Sequence, residues 1–380
     1  MPEHPSPPRS RSAAALVAAV LALAGTTSAA RAQDIESVDS YVLGQGFNVG
    51  PVNFAGYSSV VLAAPDQGRK TFSLEDLSLY ASAHVGALFN PFMEAELTGL
   101  NLVPWGKDGG EGDGGKGYLV LERLYNDIQL PDGFTVRFGK MLAPVGDWNQ
   151  IHAAPLVMST IRPAATYRGS SQYATGLSVL YSDPQARWPD VQVYWQPMDE
   201  FSARPDSIVD DHYRLVEGLH VSFPLALLDK VGFSIQRTID RQGVEQHLFG
   251  TDFRYTMDQW SLQGEWVVST LSQPPSLHST RDLEWSGYVA PSYALNDRWS
   301  VYGWYEVYDG RGSMPLLGAT QELAASTAMP FGNDRVAQDV LAGFAFRPQP
   351  AMVFRLEYLQ NVGGRPINPT GLFASWSVLF

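Results

Sequence analysis

The chain has 380 residues, no Cys, a formal charge of −13 and only 17% charged residues, against about 25% in an ordinary soluble protein. Without Cys there is no disulfide framework and no thiolate metal site. The acidic balance argues against a nucleic-acid partner, which would meet basic patches, and mildly against a pore built to attract anions.

Arg9 and Arg11 precede an uncharged run, Ala13 to Ala24, followed by Ser28-Ala29-Ala30-Arg31-Ala32 with small residues at 30 and 32. This is the pattern of a secretory signal over 1–32, cleaved after Ala32. The run is too short to span roughly 30 Å of hydrocarbon, which takes about 20 apolar residues. Removing 1–32 takes away three Arg and one Glu and moves the formal charge to −15. Residues 33–52 then form a short periplasmic or plugging N-terminal segment, and 53–380 is expected to be one domain.

That domain reads as strands. Period-two alternation of apolar and polar residues predicts sixteen, near 53–62, 71–82, 91–99, 118–130, 133–140, 172–182, 190–196, 213–223, 230–239, 245–256, 260–270, 282–294, 298–308, 336–346, 351–360 and 371–380. Most are as long as a tilted membrane strand, about 9–11 residues. The first three have the faintest alternation, and the pattern is compatible with 14 to 18 strands. Apolar faces such as Phe134/Val136/Phe138, Tyr173/Thr175/Leu177/Val179/Tyr181 and Trp299/Val301/Gly303/Tyr305/Val307 are expected to meet lipid. Aromatics near strand ends (Tyr255 and Trp260, Tyr293 and Trp299, Trp376 and Phe380) are expected to form two girdles.

The connections sort by parity. Short turns rich in Pro, Asp, Asn or Gly fall at 83–90, 131–132, 183–189, 224–229, 257–259, 295–297 and 348–350. Between them come the longer 100–117, 141–171, 197–212, 271–281 and 309–335, with a short exception at 240–244. Short turns on one side and long loops on the other are the habit of a transmembrane barrel. A sandwich has no reason to sort its loops this way.

The last strand, TGLFASWSVLF, places Leu372, Ala374, Trp376, Val378 and Phe380 on one face. It resembles the terminal strand of bacterial outer-membrane proteins, where a final Phe is usual. The fold class expected is therefore all-β: an antiparallel transmembrane barrel of about 16 strands, closed by the C-terminal strand.

Residues 121–155, LERLYNDIQLPDGFTVRFGKMLAPVGDWNQIHAAP, run strand, tight turn, strand and loop. With Gly139, Lys140, Pro144 and Gly146 in place, this stretch resembles the phosphate-selective porin O and P family. The resemblance implies a sixteen-stranded aqueous channel for small solutes, commonly a homotrimer, whose third outer loop folds inward. That loop is 141–171, so Asp147, Trp148, Asn149, His152, Arg162 and Arg168 are the candidate constriction residues. On the inward faces of the strands, Arg137, Gln236, Asp252, Arg254, Gln263, Glu265, Glu306, Arg355 and Glu357 are expected to line the lumen. They hold three Arg and four carboxylates, whereas a phosphate path calls for a ladder of Arg and Lys. Mild cation preference is expected instead, with an anion- or phosphate-selective pore as the alternative.

Other features carry less. Gly106 to Gly117, GKDGGEGDGGKG, lacks the Ser or Thr and the helix of a phosphate cradle and reads as an outer loop, with Asp108, Glu111 and Asp113 as weak calcium or lipopolysaccharide contacts. Asp210-Asp211-His212 is the one compact acid–His cluster, read as solvated loop charge rather than a hydrolase site. The loop 309–335 contains GATQELAASTA, a short helical stretch able to plug the mouth or meet a neighbour. The expectation is a passive outer-membrane channel without cofactor, metal or catalysis, with lipid, lipopolysaccharide and small solutes as partners. A plugged barrel serving adhesion, or a barrel-borne hydrolase, is the competing class.

Overall fold

The computed structural model describes residues 43–68, 70–105, 116–167, 169–205, 212–226, 229–272, 282–309, 336–364 and 367–380. The signal segment, residues 33–42, Arg168, Asp210-Asp211, most of 106–117 and the helical stretch of 309–335 lie outside them.

Each expected segment is a strand. The first element, β1 (Phe47–Val49), is a short addition that pairs with β2 through Phe47 opposite Phe54. The wall is β2 (Val52–Pro65), β3 (Lys70–Ala83), β4 (Asn90–Trp105), β5 (Lys116–Gln129), β6 (Phe134–Leu142), β7 (Tyr173–Tyr181), β8 (Asp190–Gln196), β9 (Tyr213–Pro224), β10 (Lys230–Asp240), β11 (Glu245–Met257), β12 (Trp260–Ser272), β13 (Leu283–Ala294), β14 (Trp299–Asp309), β15 (Ala337–Gln349), β16 (Met352–Gly364) and β17 (Gly371–Leu379). Every neighbour pair is antiparallel, and β17 returns to β2 with Trp376 opposite Val60. The result is a closed barrel of sixteen strands. Phe380 completes the seam: its N–H donates to Gly56 O (2.9 Å), and Gly56 N–H donates to Phe380 O (2.8 Å). Closure leaves no row of unpaired backbone groups, which an apolar solvent would penalise heavily.

The two faces of the wall have opposite chemistry. Phe138, Leu177, Val193, Phe249, Val289 and Phe344 are exposed on the outside, while Ser178, Ser234, Asp252, Glu265, Glu306 and Glu357 are buried within. This inverts a water-soluble protein and suits hydrocarbon. Near the short turns the outward aromatics form a belt. Phe134 packs tilted on Tyr181 (4.9 Å) and Trp260 on Tyr293 (4.7 Å), while Trp299 stacks with Phe346 (4.5 Å) and Phe354 with Trp376 (5.9 Å). Tyr173 departs from its expected outward position. It is buried, and its hydroxyl donates to Glu122. A phenol at the rim takes a carboxylate partner when one is within reach.

Wall height varies. β2 to β5 have 14 to 16 residues, whereas β6, β7 and β8 have nine, nine and seven. Pairing between β5 and β6 covers only Leu124 to Gln129 on β5, so the edge of β5 above Leu124 lacks a strand neighbour. Residues 200–204 fill that notch. Ser202 Oγ accepts from Leu121 N–H (3.2 Å), Thr175 Oγ1 from Phe201 N–H (3.0 Å), and Lys140 Nζ meets Glu200 Oε1 (2.7 Å) and Ser202 O (2.9 Å).

Replacing Val289, mid-strand on the outer face, by Arg is expected to lower the folding free energy in lipid vesicles by about 2–4 kcal/mol. Guanidinium titration of vesicle-refolded protein measures this. A loss under about 0.5 kcal/mol would mean that this face is not immersed in hydrocarbon.

Candidate functional site

The connection from β6 to β7, residues 143–172, lies inside the barrel. Its ends are tied together. Ala143 N–H donates to Gln172 O (2.9 Å), and Asn149 Nδ2 donates to Ala143 O (2.8 Å) and Gln172 O (2.9 Å). Gly146 has φ +72°, and a Cβ there would collide with Glu265 Oε2. Gly139, at φ +128°, lies against the Leu124 carbonyl on β5 in the same intolerant way. Two positions of the sequence motif are thus explained by close approach of backbone.

Strand side chains hold this loop from one side. Glu265 Oε1 on β12 accepts from Asp147 N–H (3.0 Å) and Trp148 N–H (2.6 Å). Glu306 Oε2 on β14 accepts from Ala164 N–H (2.7 Å). Glu357 on β16 accepts from Thr160 N–H (2.6 Å), Ile161 N–H (3.3 Å) and the Tyr302 hydroxyl (2.7 Å). Arg355 donates to the carbonyls of Met158 (3.1 Å), Ala154 (3.0 Å) and Val157 (2.5 Å). Gln236 on β10 accepts from Ser171 N–H (3.0 Å). Each pairs a buried side chain with loop backbone that no strand satisfies. Beneath lies an apolar patch, in which Trp148, Ile161 and Ala165 pack with Tyr288, Trp304, Leu341, Val353, Leu359 and Phe373.

The expected lumen residues therefore divide. Glu265, Glu306, Arg355 and Glu357 are occupied by the loop. Arg254 reaches Asp147 (2.5 Å), as does Lys230 (2.5 Å). Asp252 is buried beside that group with no hydrogen bond among the described residues. Arg137 lies apart, bidentate to Asp127 (2.7 and 2.8 Å) and over the Tyr125 ring.

The loop candidates divide as well. Asp147 faces the wall and Asn149 staples the loop. Trp148, His152 and Arg162 face a remaining space of about 100 Å³. Across it stand Tyr57 of β2, Asp76 of β3, Glu96 and Thr98 of β4 and Tyr118 of β5, with Arg204 entering from the segment in the notch. Glu122 of β5 is held by Arg204 (2.8 Å), and Glu94 of β4 by Arg123 (2.5 Å). The space thus separates a side rich in carboxylates from a loop side carrying Arg162 and His152.

Charges on the loops are tuned by their surroundings. Burial, with Arg123 and Arg162 nearby, pushes the His152 imidazole down to about 4, so it is neutral near pH 7. Burial also lowers Arg162 to about 10, which leaves it protonated. Burial opposes the charge on Arg204, but Glu122, Tyr118 and Glu96 outweigh it and hold its pKa above the ordinary value.

The acidic side was not legible in the sequence. Bulges interrupt the alternation there: between Ser59 and Val60 in the pairing of β2 with β3, and between Glu94 and Ala95 in that of β4 with β5. Each bulge shifts the inward set by one residue. The signal present was Glu94 and Glu96 two apart on β4, within a strand of faint alternation. Arg204, in a loop, gave none.

No known family profile matches the chain, and no curated protein does. Solved structures do. A loop-deleted form of OmpT, an outer-membrane protein of Vibrio cholerae, aligns with TM-score 0.57 at 13% identity, over 87% of this chain and 99% of that one. The anion-selective porin of Comamonas acidovorans gives 0.54 at 13%, over 86% and 98%. Salmonella typhi OmpF in complex with daunomycin gives 0.57 at 9%, over 87% and 97%. The chain shares the barrel fold of these structures.

Replacing Glu265 by Ala leaves the buried amides of Asp147 and Trp148 without an acceptor, at a cost of about 1–3 kcal/mol. Faster hydrogen exchange at those amides is the expected outcome, with Gly146→Val producing the same change by displacing the carboxylate. Unchanged exchange in both variants would contradict this anchoring.

Proposed function

We propose that the chain is an outer-membrane porin, a passive diffusion channel for small hydrophilic solutes or ions, delivered by a signal peptide cleaved near Ala32. The observation that carries this is the polar space left between the inward-folded loop and the acidic strands of a closed barrel. In this reading the barrel is a filter and not an enzyme. Its chemistry is filtration, with solutes moving down a gradient and sorted by width and charge.

In this reading the passage is the constriction, with Trp148, His152 and Arg162 on its loop side. Asp76, Glu94, Glu96 and Glu122 oppose Arg123, Arg162 and Arg204. Four carboxylates against three guanidiniums favour a transverse field with mild cation preference over a phosphate ladder. The resemblance to the phosphate-selective O and P family is thus carried over for architecture and not for substrate. Association into trimers, embedded in lipid and lipopolysaccharide, goes with the porin reading; V. cholerae OmpT is described in a trimer form.

Single-channel recording of the folded protein in a planar bilayer, under a salt gradient, tests this. Steady conductance that scales with salt, and a reversal potential favouring potassium modestly over chloride, are expected. Glu96→Gln should move the reversal potential toward chloride, and Arg204→Ala away from it. Strong chloride preference would favour the anion-selective alternative. Absence of current from a folded barrel would favour the plugged one.

A further inference from the structure

We propose that Glu94, Glu96 and His152 form a binding site for a divalent transition-metal cation, Zn²⁺ by the chemistry of its ligands, on the wall of the passage. The proposal rests on the channel reading for its consequence, and on geometry for its existence. One donor atom from each of the three side chains lies within 4.8 Å of the others. Donors at about 2 Å from tetrahedral zinc stand about 3.4 Å apart, so the three must close by at most about 1.4 Å. Glu94 and Glu96 project from the same strand two residues apart, and His152 follows the tight turn Asn149–Ile151 of the inward loop. Closing the gap therefore moves a loop-borne side chain toward a rigid wall.

The supporting contacts are already those of a metal site. His152 Nδ1 lies 3.1 Å from Asn149 O. That carbonyl can only accept, so Nδ1 carries the proton and Nε2 presents its lone pair. A ligating His commonly has its other nitrogen fixed to a carbonyl in this way. Glu94 is wholly buried, and its Oε2 is bound by Arg123 Nε. Its Oε1 is buried beside the Tyr80 phenol, which hydrogen-bonds the carboxylate, and takes no ion-pair partner among the described residues. A carboxylate oxygen there, if ionised, is better served by a cation than by a phenol alone. Glu96 and its neighbour Asp76 have no ion-pair partner among the described residues, and their two carboxyls hydrogen-bond each other, a contact that one proton or one cation must bridge. One imidazole with two carboxylates selects zinc or its neighbours over magnesium and calcium, which take oxygen throughout. Three protein ligands leave a fourth position for water from the passage.

Cobalt titration of the folded, detergent-solubilised protein, followed by visible absorption and zinc competition, reads the site directly. Zinc added to the planar bilayer reads its effect on current. We expect micromolar cobalt to give a low-coordinate visible band that zinc abolishes, and micromolar zinc, but not magnesium, to reduce conductance. Glu96→Gln, which keeps the side-chain shape, and His152→Ala should each raise the half-saturating concentration at least about tenfold. His84→Ala, in an exposed turn, should leave it unchanged. Equal affinity in all four proteins, or a visible band insensitive to both substitutions, overturns the proposal. A conducting channel that binds no cobalt removes the metal site alone. Cobalt binding in a barrel that carries no current removes the channel reading and leaves the site standing.

Discussion

The interior depends on reciprocal satisfaction between strand side chains and loop backbone. A thirty-residue connection inside a barrel brings amides and carbonyls into a place where no ladder can pair them. Glu265, Glu306 and Glu357 would in turn lose the loop amides and keep only side-chain donors such as Tyr288, Asn368 and Tyr302. Each solves the other's problem: the carboxylates take the N–H groups of Asp147, Trp148, Thr160, Ile161 and Ala164, while Arg355 gives to the carbonyls of Ala154, Val157 and Met158. Hydrogen bonds to charged groups are worth about 1.5–3 kcal/mol each, and half of such a pair is worse than none. The loop is therefore fixed in place by chemistry that would be destabilising in its absence.

That fixation makes the lumen asymmetric. Trp148 and Ile161 sink into Tyr288, Trp304, Leu341 and Phe373 on one wall, which draws the loop away from β2 to β5. On the anchoring wall, the carboxylates of Glu265, Glu306 and Glu357 are taken up by the loop backbone. Those on the far wall, Asp76 and Glu96, face the space that is left. Similar residue types thus serve opposite ends according to which side the loop chose.

The notch over the short strands β6 to β8 completes the arrangement. Lys140, buried against Glu200 and the Tyr173 ring, draws in a segment of another loop, and that segment delivers Arg204 to Glu122. A seal in the wall and a charge in the passage come from one local contact.

The sequence by itself determined the barrel: sixteen alternating segments, loops sorted by parity and an aromatic-faced terminal strand that pairs with β2. Alternation is local, because a strand with lipid on one side and polar side chains on the other must write its two faces into every second residue. The inward course of the long loop was only an expectation that went with the family resemblance at Gly139, Lys140, Pro144 and Gly146. Only the tertiary structure decided what the inward charges do. Glu265 reads the same in sequence whether it faces water or Trp148 N–H, and the difference lies more than a hundred residues away. Nor did the sequence disclose Asp76, Glu94, Glu96 and Arg204 as a group. Bulges break the period that would have placed the acids, and Arg204 arrives by a loop whose path is set by the height of strands it does not belong to.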